Sequence, residues 1–148
     1  MTVASDPSTS LQSLMDVGFK RVGEWKLNRV QADPTIIFEL IEEDADAPNV
    51  LYAFVAGGEI LYIGKSIRTL STRLAGYQRP GKTQFTNIRS NGKILDLLSQ
   101  QKSVEIYVLV DTGLLSYGGF HVNLAAGLED SLIEALRPPW NLTGRTKD

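Results

Sequence analysis

Two largely apolar runs on either side of a glycine pair predict two strands joined by a tight turn near the middle of the chain. The runs Val50–Ala56 and 59–64 are rich in β-branched and aromatic residues, and they flank the pair Gly57-Gly58. Both positions of a two-residue hairpin turn favour a positive φ, which glycine adopts without steric cost. We therefore predict a β-hairpin at this point.

Apolar spacing predicts further elements on both sides of the hairpin. Helices are expected at 10–19, 69–77, 93–100 and 124–136, strands at 23–30, 35–41 and 104–110, and a loop at 111–123. The predicted fold class is α+β, with a small central antiparallel sheet of about three core strands flanked by helices. Strands from an N-terminal extension, residues 1–48, would lengthen this sheet and pack on a main unit of residues 49–148, giving one compact domain.

The chemistry open to the chain is limited by its histidine and cysteine content. It has 148 residues, no cysteine and a single histidine, His121. These counts exclude a disulfide framework, a thiolate nucleophile and a cysteine or multi-histidine zinc site, and they argue against a histidine-based catalytic triad. No apolar run approaches the ~18–20 residues of a membrane span, and no secretory signal is evident, so we expect a cytoplasmic protein without a membrane partner.

Charge is divided sharply along the chain, although the net charge is only -2. Residues 33–59 hold seven acidic and no basic residues, whereas residues 60–95 hold seven basic and no acidic residues. The basic residues are Lys65, Arg68, Arg73, Arg79, Lys82, Arg89 and Lys93, and they alternate with aromatic and amide side chains. This pattern is typical of contact with a phosphate backbone, and an ordinary solvated surface is the alternative.

Two charged residues fall on apolar helix faces. Arg73 lies on the inward stripe of the helix predicted at 69–77, and Glu129 lies on that of the helix at 124–136. A buried charge needs a partner or a metal ion. Arg73 and Glu129 would either pair with each other across the core, or they would line a cleft in which Arg73 meets a phosphate and Glu129 holds a cation.

The order of these residues resembles that of the GIY-YIG nuclease superfamily. Leu51-Tyr52 stands ten residues before Tyr62-Ile63-Gly64, and Arg73, Glu129 and Asn141 follow, so that the resemblance covers residues 49 to 141. The first triplet is Val50-Leu51-Tyr52, which keeps the tyrosine and loses the glycine. Many members carry a histidine four residues after the arginine, where this chain has Tyr77.

The resemblance implies a metal-dependent endonuclease that hydrolyses DNA phosphodiesters to 5′-phosphate and 3′-hydroxyl ends. Tyr52 and Tyr62 would project toward the substrate, and Tyr52 would accept the proton of the attacking water with help from Lys65 and Arg73. Arg73 would bind a phosphate oxygen, and Glu129 would hold a single Mg²⁺ or Mn²⁺ ion. Asn141 would hold a phosphate or orient a catalytic group, and Tyr77 leaves the identity of the proton acceptor open.

Substrate contact outside the catalytic residues is expected from the basic block, through Lys65, Arg68, Arg79, Lys82, Arg89 and Lys93. A restriction-type role is compatible with this pattern, and the oligomeric state is open. Two alternatives remain: a nucleic-acid-binding module of the same fold that no longer cuts, and a small-molecule pocket in which Arg73 clamps an anion.

Overall fold

Five antiparallel strands form one sheet at the centre of the protein, with helices on both faces. The structure, a computed structural model, describes residues 7–30, 32–41 and 46–142. The strands are β1 (Lys20–Asn28), β2 (Thr35–Leu40), β3 (Val50–Ala56), β4 (Glu59–Ser66) and β5 (Val104–Val110), and their order across the sheet is β2-β1-β5-β3-β4. The expected α+β class is confirmed, and the N-terminal strands do extend the sheet.

Four of the five described helices follow the predicted order, one of these four is much longer than expected, and the short helix at Pro139–Leu142 was not predicted. The described helices are α1 (Pro7–Asp16), α2 (Leu70–Gln78), α3 (Phe85–Ser99), α4 (Leu124–Leu136) and α5 (Pro139–Leu142). The helix predicted at 93–100 begins eight residues earlier, at Phe85, because Asn87 and Ser90 are buried against the rest of the protein despite their polarity. No helix in the described ranges is long and apolar enough to span a membrane.

The turn of the central hairpin is confirmed, and a second hairpin was missed. Gly57 and Gly58 have φ values of 59° and 81°, as the two-residue turn between β3 and β4 requires. Within the segment predicted as a loop, β6 (Ser116–Tyr117) pairs with β7 (Phe120–His121) around another pair of glycines with positive φ. Strands of two residues are too short to show any apolar alternation in the sequence.

Each face of the sheet carries its own apolar cluster. Side chains alternate between the two faces along a strand. Tyr52, Phe54 and Tyr62 therefore pack toward α2 and α3, while Leu51 and Ile63 belong to the cluster that includes residues of α1 and α4. The helices α4 and α5 both contact the edge strand β4. This strand also carries Lys65, the first residue of the basic block.

Candidate active site

A cleft of about 370 Å³ opens beside the end of β4, against α2 and the start of α3. Its lining residues are Lys65, Ser66, Ile67, Arg68, Thr72, Arg73, Gly76, Gln84 and Asn87. Three of these residues are cationic and none is acidic. The cleft therefore favours an anionic ligand.

Arg73 lies at the centre of the hydrogen bonds in this cleft. Its Nη2 donates to the Tyr77 hydroxyl at 2.8 Å, and its Nη1 donates to Asn87 Oδ1 at 3.3 Å. The guanidinium carbon also lies 4.4 Å from the centroid of the Tyr77 ring, a cation–π contact. Among the described residues no carboxylate forms an ion pair with Arg73, so the proposed direct pairing with Glu129 is wrong.

Tyr52 is inaccessible to solvent, contrary to the expectation that it projects toward the substrate. Its exposure is 0%, and its hydroxyl lies 2.6 Å from that of Tyr77, whose exposure is also 0%. Burial raises the pKa of both phenols. The positive charge of Arg73 opposes the rise at Tyr52 without cancelling it. The family resemblance implied that both tyrosines project toward the substrate, but it did not indicate that Tyr77 of α2 covers Tyr52.

Tyr62 is the more accessible member of the tyrosine pair. It is 9% exposed, and its ring lies 5.8 Å from that of Phe54 in a stacked contact and 6.2 Å from that of Tyr52. No described residue hydrogen-bonds its hydroxyl, in contrast to Tyr52 and Tyr77, which bind each other. The Tyr62 hydroxyl is therefore free to bind a water molecule or a substrate oxygen.

The close approach of Tyr52 explains why the triplet Tyr62-Ile63-Gly64 ends in glycine. Gly64 pairs with Tyr52 across β3 and β4, and a Cβ at this position would lie 2.5 Å from both Cζ and Oη of Tyr52. Such a distance is far below van der Waals contact. Any larger residue would have to displace the Tyr52 ring and, with it, the hydrogen bond to Tyr77.

Lys65 and Glu129 form a second charged group beside the cleft. Lys65 Nζ lies 3.8 Å from Glu129 Oε1, and the Glu129 side chain is only 18% exposed. Burial raises the pKa of Glu129, and the nearby ammonium of Lys65 opposes that rise. Lys65 also lines the cleft that contains Arg73, so one side chain contributes both to that cleft and to the ion pair with Glu129.

The donor set around Glu129 fits a divalent ion bound mainly by water and substrate. In the described part of the chain no three histidine, cysteine or acidic residues cluster, so a protein-only cage is absent there. Mg²⁺ commonly uses one or two carboxylates and retains several waters, with phosphate oxygens completing the octahedron. The single, partly buried carboxylate of Glu129 meets that requirement.

Asn141 binds the backbone of β4. Its Oδ1 accepts a hydrogen bond from Ile63 N at 2.8 Å, and its Nδ2 donates to Ile63 O at 2.8 Å. Ile63 stands between Tyr62 and Gly64. Of the two roles expected for Asn141, these contacts favour orienting the strand that carries Tyr62 over holding a phosphate.

Of the remaining basic residues, four are exposed and one is packed against an aromatic ring. Arg68 lines the cleft, and Arg79, Lys82 and Arg89 are exposed on the segment from the end of α2 into α3. Lys93 differs, because its ammonium lies 5.8 Å from the centroid of the Trp140 ring and partial burial lowers its pKa. We expect Lys93 to contribute less to DNA binding than the exposed cations.

Sequence reasoning missed Asn87 and Gln84 as individual members of the site. Both appeared only as amide residues within the basic block. Asn87 becomes recognisable through its burial and its contact with Arg73, and both depend on how α3 packs on α2. Fourteen residues separate Asn87 from Arg73, and no local pattern predicts that contact.

Comparison with solved structures supports the fold. A mutant of EndoII from bacteriophage T4 is similar with a TM-score of 0.67 and 22% identity, covering 88% of this chain and 97% of that chain. The restriction endonuclease HPY188I in complex with product DNA is similar with a TM-score of 0.52 and 16% identity, covering 98% and 99%. No protein-family model matches the chain, and neither does any curated protein sequence. From the five-stranded antiparallel sheet, its flanking helices and these similarities, we conclude that the chain has a GIY-YIG-like nuclease fold.

Proposed function

We propose that the protein is a metal-dependent DNA endonuclease that hydrolyses phosphodiester bonds to 5′-phosphate and 3′-hydroxyl ends. The observation that carries this proposal is Arg73, whose guanidinium is held in a cation-lined cleft by the neutral side chains of Tyr77 and Asn87. Its charge is therefore left for an external anion. The similar structure of a restriction endonuclease in complex with product DNA supports DNA as that anion.

Arg73 would bind the phosphate that is attacked. An arginine has five N–H donors, and Tyr77 and Asn87 take two of them, which leaves three for phosphate oxygens. The negative charge on those oxygens increases in the transition state, so a prearranged guanidinium stabilises that state more than the ground state. Lys65 and Arg68 add positive charge to the same cleft.

Tyr62 would bind the attacking water and accept its proton. We assign this role to Tyr62 because its hydroxyl has no described partner, whereas that of Tyr52 is buried against Tyr77. A phenol is a poor base for water unless nearby positive charge stabilises the phenolate. Arg73 would supply part of that charge, since it binds the Tyr77 hydroxyl and the Tyr77 ring lies 6.2 Å from that of Tyr62. Tyr77 would then hold Arg73 through its hydroxyl, and Tyr52 would hold that hydroxyl in place.

Glu129 would hold the Mg²⁺ or Mn²⁺ ion. When bound, the ion would neutralise charge at the departing 3′-oxygen. Lys65, 3.8 Å from the carboxylate, would compensate the buried negative charge when the cation is absent. Asn141 would hold β4 against α5 through its two hydrogen bonds to Ile63, and it would thereby fix the position of the neighbouring Tyr62.

The test is cleavage of supercoiled plasmid DNA with Mg²⁺ or Mn²⁺, followed by ligation of the products to identify 5′-phosphate and 3′-hydroxyl ends. Wild-type protein should cut, and Glu129→Gln should lose the activity. Glu134→Gln is the matched control, because Glu134 is an exposed carboxylate on the same helix. Folded wild-type protein that binds DNA but cuts none with either ion would overturn the proposal in favour of a non-cutting DNA-binding module.

A further inference from the structure

A buried amide in α3 is bonded at both ends within the cleft. Asn87 is only 6% exposed. Its Oδ1 accepts a hydrogen bond from Arg73 Nη1 at 3.3 Å, and its Nδ2 donates to Gln84 Oε1 at 3.2 Å. Burying a polar side chain destabilises the folded protein unless the polar atoms are hydrogen-bonded. Both the oxygen and the NH₂ group of Asn87 have such a partner.

The direction of this amide is fixed by a backbone group that can only donate. Gly81 N donates to Gln84 Oε1 at 2.8 Å. The oxygen of Gln84 must therefore face Gly81, and Asn87 meets it with its NH₂ group. A reversed Asn87 amide would place NH₂ against the guanidinium and oxygen against oxygen, and it would lose both bonds.

The guanidinium is consequently held at both of its terminal nitrogens. Tyr77 accepts from Nη2, and Asn87 accepts from Nη1. Gly76 leaves space for this arrangement, since a Cβ there would lie 3.3 Å from Asn87 Nδ2 and 3.6 Å from Arg73 Nη1. Neutral acceptors fix the plane of the guanidinium and leave its positive charge in place, whereas a carboxylate partner would neutralise that charge.

We propose that Asn87 is a positioning residue, oriented by Gln84, that sets the plane of the Arg73 guanidinium for a phosphate oxygen. This inference rests on the proposed nuclease function. Asn87 acts through Arg73 and contributes to the rate by keeping the remaining N–H donors aligned. A misplacement of about 1 Å in such a group is enough to cost about 10²-fold in rate.

The first test compares single-turnover cleavage rates with duplex affinities for wild type and Asn87→Leu. We expect the rate to fall about 10- to 100-fold, while the dissociation constant for DNA measured without divalent ion changes much less. Asn91→Leu is the matched control: Asn91 lies one turn further along α3 and bonds the backbone carbonyls of Tyr77 and Gln78, without contacting Arg73. Equal rate losses in the two variants would overturn the proposal.

The second test is a double-mutant cycle with Arg73→Lys, which keeps a positive charge but lacks the planar guanidinium. If Asn87 acts through Arg73, Asn87→Leu should lower the rate far less in the Arg73→Lys background than in wild type. If Asn87→Leu lowers the cleavage rate by the same factor in both backgrounds, Asn87 has a purely structural role. Gln84→Met at an exposed position provides the cycle with a second variant should Asn87→Leu fail to fold.

The third test reads the guanidinium directly and does not depend on cleavage. Nitrogen-15 NMR of wild-type protein should show separate, slowly rotating Nη groups for Arg73, assigned by their absence in Arg73→Lys. These signals should merge in Asn87→Leu or Gln84→Met and persist in Asn91→Leu. If folded wild type cuts no DNA, the proposed function fails, and unchanged Arg73 signals in the Asn87 and Gln84 variants would separately overturn the positioning role.

Discussion

The hydroxyl groups of Tyr52 and Tyr77 lie 2.6 Å apart, and both side chains are completely shielded from solvent. Tyr77 stands four residues after Arg73, where many members of the superfamily that the sequence resembles carry a histidine. Its oxygen also accepts a hydrogen bond from Arg73, so the two phenols and the guanidinium form one continuous chain of polar contacts. This chain is a support for Arg73, and it has consequences for stability, pH dependence and rate.

Removing the Tyr77 hydroxyl alone should be more damaging than removing the hydroxyls of Tyr77 and Tyr52 together. Tyr77→Phe leaves the buried hydroxyl of Tyr52 without its partner, a defect that typically costs about 1–3 kcal/mol of unfolding free energy. Adding Tyr52→Phe removes the unpaired group, so the double variant should recover part of this loss. Urea denaturation of the two single variants and the double variant measures the effect. A double variant with the full sum of the single losses would contradict the pairing.

Alkaline titration should reveal the two buried phenols. Burial raises the pKa of Tyr52 and Tyr77 above the ordinary value, so ionisation favours the unfolded chain. Their contribution to stability is complete below a pH of about 10 and decreases above it, by about 1.4 kcal/mol per pH unit for each phenol, until the folded pKa is reached. Of the five tyrosines in the chain, these two should ionise only as the protein unfolds.

The titration is followed through tyrosinate absorbance, with circular dichroism reporting unfolding in the same samples. The absorbance change that coincides with unfolding should shrink when both Tyr52 and Tyr77 are replaced by phenylalanine. Complete ionisation of all tyrosines before any loss of structure would contradict the burial of this pair.

Gly64→Ala should disable the site and destabilise the protein. The added methyl group would approach Cζ and Oη of Tyr52 to 2.5 Å, and overpacking of this kind typically costs about 1–3 kcal/mol. The displaced Tyr52 ring would also disturb Tyr77, so we expect slower DNA cleavage as well as a lower melting temperature.

Gly92→Ala provides the matched glycine control. Gly92 lies inside α3, and no neighbouring atom is within 4 Å of its ideal Cβ. Alanine should therefore raise stability there by about 0.5–1 kcal/mol, through its higher helix propensity. Similar responses to the two substitutions in thermal unfolding would show that the Tyr52 contact is not what requires a glycine at position 64.

The exposed cations should control the salt dependence of DNA binding. Lys82→Ala and Arg89→Ala should each weaken duplex affinity and reduce the slope of log K against log salt by about 1. Lys93→Ala should change the slope less, because Lys93 packs over Trp140. Fluorescence anisotropy at several salt concentrations measures these slopes. Lys102→Ala, outside the basic block, is the control, and equal effects at Lys82 and Lys102 would argue against a localised interface.

The elements that could be predicted are those whose signals are local. The Gly57-Gly58 turn and α4 follow from neighbouring residues alone, and their predicted bounds agree with the structure. The first half of α3 could not be predicted, because it buries Asn87 and Ser90, whose side chains normally face water. Its helical state is set by packing on α2, which no short window of sequence contains.

The site was predicted as a set of residues but not as an arrangement. The family resemblance selected Tyr52 and Tyr62, and the structure places both in one apolar cluster, yet the covering of Tyr52 depends on Tyr77 reaching it from α2. Likewise, the sequence did not predict the neutral partners from α2 and α3 that hold Arg73. Burial and partner choice are long-range properties, and a residue's type and spacing do not determine them.

The bond between Asn141 and Ile63 also protects the free edge of the sheet. β4 is an edge strand, and an edge strand normally presents unpaired N–H and C=O groups that invite another chain to add a strand. At Ile63 both groups are already satisfied by the asparagine amide, which takes the place of a neighbouring peptide unit. A second protein chain could pair at this position only by first displacing α5, so the edge at Ile63 is not a template for self-association.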